Sequence, residues 1–279
     1  PSERWTMKIL WVSAHPEPKS LNAALRSDAL AALRGARHEI RTSDLYEMRW
    51  NPVVTADDFA HDPSGRLLVG ARSGQALAEG TLAPDILAEQ RKLGWADAVI
   101  VQFPLWWYGM PAILKGWFDR VFVEGYGYGV RREDGSTRRY GEGTLAGKRA
   151  MTVVSFGGSA DSAGPRGING QMDEVLFPIH HGIFWYTGMS VLPPVLIDSA
   201  DRLRAEHYPG VAARVIDRLS GLFTDAPLPF RSQNGGDYDE RFVLREDRAP
   251  GVTGLRAHYA DADSAAHGPE AEVPTRCAV

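Results

Sequence analysis

The sequence predicts a doubly wound α/β domain built on a parallel sheet. Three observations carry that expectation. Continuous apolar runs bounded by turn residues recur along the chain, as strands buried on both faces do. Segments with helical periodicity alternate with those runs, the pattern of right-handed strand–helix–strand crossovers. The loops leaving three of the runs carry unusual residues, at the strand ends where such sheets bind ligands.

Taken in order, the strands are Ile9–Val12, a weaker His38–Thr42, then Ala98–Phe103, Met151–Ser155 and Val191–Ile197. The first helix, Leu21–Leu33, shows Leu21, Leu25 and Leu33 on one stripe, with Ser20 placed to cap it. Further helices are expected over Ile86–Gly94, Pro111–Val121, Asn169–Tyr186 (kinked or started late by Pro178) and Val211–Phe223. Pro111 suits a first-turn position, where its missing N–H costs nothing. Two segments interrupt the rhythm. Val53–Pro84 is rich in Gly, Ala, Asp and Ser and reads as a long insertion; Gly125–Gly143, with Asp134-Gly135 at its middle, reads as an exposed hairpin or lid. The expected organisation is one domain over 1–224, a wrapping extension over 225–260 and a loose tail over 261–279.

Composition narrows the function. The 279 residues are 44% hydrophobic and 24% charged, ordinary for a globular protein, and no apolar run is long enough to span a bilayer. A net charge of −4 lacks the basic excess of a dedicated nucleic-acid binder. The single cysteine, Cys277, allows no internal disulfide and no zinc or iron–sulfur cluster. With no secretory h-region at its start, the chain is expected in the cytoplasm, with no membrane insertion.

The three strand-end loops hold the candidate chemistry. Ser13 to Asn22 joins a hydroxyl, a histidine and the free N–H groups of a helix start, a place for phosphate, without a Walker or Gly-rich Rossmann pattern. Phe103-Pro104-Leu105-Trp106-Trp107-Tyr108-Gly109 sets three adjacent aromatics between strand and helix, more than one core can accept. Ser155-Phe156-Gly157-Gly158-Ser159 lets the backbone approach a ligand with its N–H groups free. A phosphate loop, an aromatic wall and a Gly-Gly wall together describe a flavin site in a flavodoxin-like fold. Other features carry less. Gly125-Tyr126-Gly127-Tyr128-Gly129 precedes no helix, His180-His181 lacks acidic partners at metal spacing, and Arg131, Arg132, Arg138 and Arg139 suit a solvated hairpin. No metal site and no Ser/His/Asp arrangement is expected.

The run Gln102-Phe103-Pro104-Leu105-Trp106-Trp107-Tyr108-Gly109-Met110-Pro111-Ala112-Ile113-Leu114-Lys115-Gly116-Trp117-Phe118-Asp119-Arg120-Val121 resembles the signature of the NAD(P)H:quinone oxidoreductase (DT-diaphorase) family. Shorter matches support it: Ala14-His15, Ser20-Leu21-Asn22, Ser43-Asp44-Leu45-Tyr46, Asn51-Pro52, Gly157-Gly158-Ser159 and Gly182-Ile183. The resemblance implies a homodimeric flavoprotein, with FAD rather than FMN, that reduces quinones by two electrons in ping-pong fashion with NAD(P)H as hydride donor. It implies that His15, Ser20, Leu21 and Asn22 hold the phosphate end. Pro104, Leu105, Trp106, Trp107 and Tyr108 would line the isoalloxazine, with Phe156, Gly157 and Gly158 beside it. Trp107 would also meet substrate, with Tyr128 and Tyr186 contributed by the partner subunit. The family's tyrosine and histidine near the ring align here with Ala163 and Asn169, and a second cleft tyrosine with Val130. The catalytic groups expected instead are Asn169, Tyr108 and the N–H groups of Gly157 and Gly158, with helix capping as the competing role for Asn169. Alternatives are an azo- or nitro-aromatic reductase, a natural-product tailoring reductase, or a flavin-binding regulatory subunit of an ion-efflux system.

Overall fold

A computed structural model describes residues 6–262. Six strands form one parallel sheet: β1 Lys8–Ser13, β2 Glu39–Asp44, β3 Ala98–Pro104, β4 Arg149–Ser155, β5 Ser190–Val191 and β6 Val195–Ile197. Their order is β2-β1-β3-β4-β5, and β6 pairs with β4 beyond β5. β3 lies between β1 and β4 and is buried at every position, so its run shows no polar alternation. β2 is an edge strand with Glu39, Arg41 and Thr42 exposed, which explains its faint apolar signal. The run Val191–Ile197 is two short strands rather than one. Pro193 and Pro194 have no N–H to give the ladder, so pairing with β4 lapses between β5 and β6.

The helices are α1 Leu21–Gly35, α2 Val69–Glu79, α3 Pro84–Trp95, α4 Ala112–Val121, α5 Met172–Val175, α6 Phe177–Ile179 and α7 Tyr208–Ser220. The Ser20 side chain accepts from the Ala23 amide at 3.1 Å and caps α1. Pro111 stands one residue earlier than expected, at the N-cap of α4. Leu25, Ala29 and Leu33 of α1 and Val211, Val215 and Leu219 of α7 cover one sheet face, packed on Trp11, Ile100 and Val153. On the opposite face, Glu89 of α3 accepts from Ser43 of β2 at 2.7 Å and from the Trp117 indole of α4 at 2.9 Å.

Two expectations change. Val53–Pro84 is not a plain insertion: it holds a 3-10 turn, Ala56–Phe59, and the helix α2. The buried residues of α2 are only Ser73 and Ala76, so it has no large-apolar stripe for a sequence pattern to reveal. Small residues are needed there, because a β-carbon at Gly74 would lie 3.2 Å from Glu124 Cβ. The segment 169–186 does not begin as helix. Helix starts at Met172 with Gln171 as N-cap, restarts around Pro178, and widens to a π-helical turn over His180–Trp185.

The segment around Asp134-Gly135 forms a hairpin: Arg131 bridges Thr137 and Gly135 has φ 84°. Its arginines turn inward on it, Arg132 pairing with Glu142 and Arg138 donating to the Glu142 carbonyl at 3.0 Å. The chain divides into two compact units between Leu228 and Pro229. Within the second, buried Arg231 donates to the Ala257 carbonyl at 3.1 Å and to Asp237 at 2.9 Å, and Phe230 packs on Tyr259. The tail expected over 261–279, with Cys277, lies outside the described residues from residue 263 on.

Candidate active site

Parallel register brings three strand ends side by side, with Ser13 opposite Gln102 and Pro104 opposite Ser155. The loops they release therefore meet at one edge of the sheet.

The β1 loop is tied down from beneath. Gln102 is the polar exception in a fully buried strand. Its Nε2 donates to the Asn22 carbonyl at 2.8 Å, and its Oε1 accepts from the Trp11 indole at 3.1 Å. Asn22 is 7% exposed and donates to Ser155 Oγ at 2.8 Å, joining the first and third loops. Its Oδ1 is buried with no partner. The Nδ1 of His15 accepts from the Glu17 amide at 3.1 Å, which leaves Nε2 as a donor. Beside them a cavity of about 520 Å³ is lined by Ser13, His15, Asn22, Arg26, Asp44 and Tyr46 among others. Arg26 crosses it to Ser13 Oγ at 2.6 Å and Asp44 at 2.5 Å.

The β3 loop is a tight turn. Trp106 and Gly109 exchange both backbone hydrogen bonds, at 3.0 and 3.1 Å, with Trp107 at φ 50° and Tyr108 at φ 59° between them. Two left-handed residues make a hairpin turn of the kind Asn-Gly adopts without strain, and bulky side chains here cost energy. Trp107 is 98% exposed, so its packing within the chain does not hold it there.

The β4 loop supplies the facing wall. Leu105, Trp107 and Tyr108 line a cavity of about 260 Å³ together with Phe156, Gly157, Gly158, Ala163, Asn169 and Met172. A β-carbon on Gly158 would sit 2.8 Å from Asn169 Nδ2, so only glycine leaves that amide its place. Tyr108 Oη donates to Asn169 Oδ1 at 3.2 Å, and Asn169 Nδ2 donates to Ser162 Oγ at 3.0 Å. Asn169 thus caps no helix.

The structure brings some predicted residues together and not others. His15 and Asn22 share the larger cavity; Leu105, Trp107, Tyr108, Phe156, Gly157, Gly158 and Asn169 share the smaller. Ser20 is spent on the α1 cap, Pro104 is the buried last residue of β3, and neither they, Leu21 nor Trp106 lines either cavity. Tyr128 and Tyr186 also stand outside both; Tyr186 packs edge-on against Tyr140. Sequence reasoning missed Gln102, though a lone amide in an apolar run was the signal, and Ser162, for which there was none. His180 is a framework residue: its Nε2 lies 2.8 Å from Thr152 Oγ1, and burial pushes its pKa down to about 4. His181 stacks on Phe177 at 4.5 Å.

The residues fit a planar cofactor with a polyol and phosphate tail. The unpartnered Asn22 Oδ1 needs a hydroxyl donor, His15 Nε2 offers a donor to an anion, and the exposed Trp107 ring lines a cavity opposite glycines. Among the described residues, no group of three or more His, Cys, Asp or Glu is arranged to hold a metal ion.

Comparison with known proteins identifies the fold and the family. Residues 7–219 match a family model described as a flavodoxin-like fold. A ribosyldihydronicotinamide dehydrogenase-like protein of Penicillium crustosum is 46% identical over 235 residues, 83% of this chain and 87% of that protein. NAD(P)H dehydrogenase [quinone] 1 of Rattus norvegicus is 36% identical over 244 residues, 86% of this chain and 87% of the rat protein. The crystal structure of a candidate quinone reductase from Klebsiella pneumoniae superposes with a TM-score of 0.88 at 49% identity, covering 91% of this chain and 100% of the other.

Proposed function

The chain belongs to the flavodoxin-like quinone dehydrogenase family, and from that premise we propose that it is a flavin-dependent NAD(P)H:acceptor oxidoreductase that reduces quinones or quinone-like aromatics. The observation that carries this reading is the cavity where the Trp107–Tyr108 turn and the Gly157–Gly158 backbone line one space. The flavin, when bound, supplies the hydride chemistry; the protein's part is to bind, orient and tune. Leu105, Trp107 and Tyr108 form one wall for its ring. The N–H groups of Gly157 and Gly158, which donate to no protein acceptor among the described residues, would offer hydrogen bonds to its ring. His15 and Asn22 take the tail. Leu105 N donates to Ser155 O at 2.8 Å, which locks the spacing between the second and third loops.

FAD as the flavin, a homodimer and a cytoplasmic location belong to the proposal. The homodimer is supported by the position of Tyr128 and Tyr186 outside the cleft of their own chain, and by exposed apolar side chains beside it, Trp107 and Ile168. Among the described residues no helix is long and apolar enough to cross a membrane.

Acid release of the bound cofactor followed by chromatography tests the flavin, with FAD expected. Steady-state NAD(P)H oxidation against a panel of quinones tests the reaction. Colourless protein that takes up neither FAD nor FMN, or negligible turnover with every acceptor, overturns the reading.

A further inference from the structure

The wall of the cleft contains a directed chain of hydrogen bonds. Tyr108 Oη donates to Asn169 Oδ1 at 3.2 Å. Asn169 Nδ2 donates to Ser162 Oγ at 3.0 Å, and Ser162 Oγ donates to the Ser159 carbonyl at 2.9 Å. Every proton in this series points away from Tyr108 toward a backbone oxygen. The amide of Asn169 is held at both ends, and the close approach of Gly158 fixes its position. A phenol has one proton and two lone pairs. With its proton committed to Asn169, Tyr108 presents only lone pairs to a ligand. The residue lines the cavity proposed for the flavin ring and is itself more than half exposed, so its phenol is also open to a second ligand beside that ring.

The geometry points to Tyr108 as a specificity-determining residue that accepts a hydrogen bond from a hydroxyl on the aromatic ligand, with Asn169 as the positioning residue that keeps the Tyr108 proton turned away. The ligand class is a planar aromatic carrying a neutral hydroxyl donor, in preference to the same ring with that donor masked. This rests on the flavin cleft proposed above and adds which ligands the cleft selects.

The test is an equilibrium titration of the flavin-loaded protein with 2-naphthol and with 2-methoxynaphthalene, two rings that differ in the donor. The readouts are perturbation of the bound flavin spectrum and quenching of tryptophan fluorescence, with no turnover. The intact chain should bind the naphthol about 5- to 10-fold more tightly, the worth of one net hydrogen bond. Tyr108→Phe should bring that ratio close to one. Asn169→Ala releases the phenolic proton, so the methoxy compound should gain and the ratio should fall. Asn169→Asp keeps an acceptor for Tyr108 and should restore the ratio, a rescue that a purely structural role for Asn169 does not predict. Equal affinities in the intact chain, or a ratio that Tyr108→Phe leaves unchanged, overturns the inference. Flavin content is scored separately by visible absorbance: protein that takes up no flavin overturns the functional reading, whereas loaded protein with equal affinities overturns only this one.

Discussion

The stretch Phe103–Val121 is continuous in sequence, yet its two halves do opposite physical work. The turn Trp106–Gly109 is exposed, carries two bulky residues in left-handed conformation, and lines the cleft with Trp107 and Tyr108. The helix α4 that follows is largely buried. Its Gly116 lies so close to Pro52 that a β-carbon would sit 2.2 Å from the Pro52 carbonyl oxygen. Its Arg120, 3% exposed, binds Asp58 through Nε and Nη2 and Asp85 through Nη1 at 2.7 Å, with the Asn51 carbonyl at 3.2 Å and the Trp50 ring below. On the function proposed above, the first half is a ligand surface kept at a cost in stability. The second straps the 50–59 segment and the start of α3 to the sheet, and so holds the first in place. A long motif that reads as one functional signature is therefore a candidate site joined to its foundation.

Breaking the foundation should have the largest effect. Arg120→Met leaves Asp58 buried without its partner, and removing one member of a buried pair costs about 3–5 kcal/mol. Urea denaturation should show that loss in full. A change below about 1 kcal/mol would place Arg120 with exposed pairs, whose worth is that small, and would remove the distinction between the halves.

A second buried group tests the foundation through pH. His180 titrates near 4 in the fold because burial disfavours its charged form, against 6.5 ordinarily. The unfolded chain therefore binds the extra proton between those values. The stability His180 contributes is fully present above about pH 6.5 and is lost as pH falls toward 4, by about 3 kcal/mol. Denaturation at pH 7.5 and 4.5 should show the decline, and His180→Gln should flatten it. An equal decline in that variant assigns the pH dependence to other groups.

The same contrast governs what the sequence made legible. β3 and β4 were readable because strands buried on both faces leave uninterrupted apolar runs. The three strand-end loops of the candidate site were readable because each concentrates its unusual residues within a short stretch. What escaped depends on contacts distant in sequence or on small residues. The role of Arg120 needs Asp58 and Asp85, far away in the chain. α2 packs through Ser73, Ala76 and two glycines, which carry no hydrophobic periodicity. Asn169 read as either donor or cap; nothing local reveals Tyr108, sixty-one residues earlier, as its partner. The break at Pro193-Pro194 stands in the sequence, but the apolar residues on either side give it the look of one continuous run.

On the site side, Trp107→Ala sharpens the comparison. Stability should change by no more than about 0.5 kcal/mol, as for an exposed position with no packing to lose. Flavin retention should weaken, because a stacked ring is worth about 0.5–1.5 kcal/mol beyond its area, roughly 2- to 10-fold in affinity. Fluorescence titration of the deflavinated protein reads the second effect and thermal unfolding the first. Unaltered flavin affinity would mean that Trp107 is not a wall of the site.

The smallest effect expected has the opposite sign. Trp107 sits at φ 50° with almost all of its surface in solvent, so within the chain it contributes conformational cost and little compensating contact. Asparagine occupies that backbone region several-fold more readily than other residues, equivalent to about 0.5–1 kcal/mol. Trp107→Asn should therefore stabilise the flavin-free protein by that amount while weakening flavin retention as Trp107→Ala does. Both halves of the result matter. A gain in stability with a loss of cofactor affinity identifies the turn as strained for the sake of its ligand. If Trp107→Asn is instead destabilising without flavin, the tryptophan has a packing role in the assembled protein, and the partner surface rather than the cofactor becomes the reason for the strained turn. Comparing the variant's melting temperature at low and high protein concentration separates those two, because only a partner contact makes the difference depend on concentration.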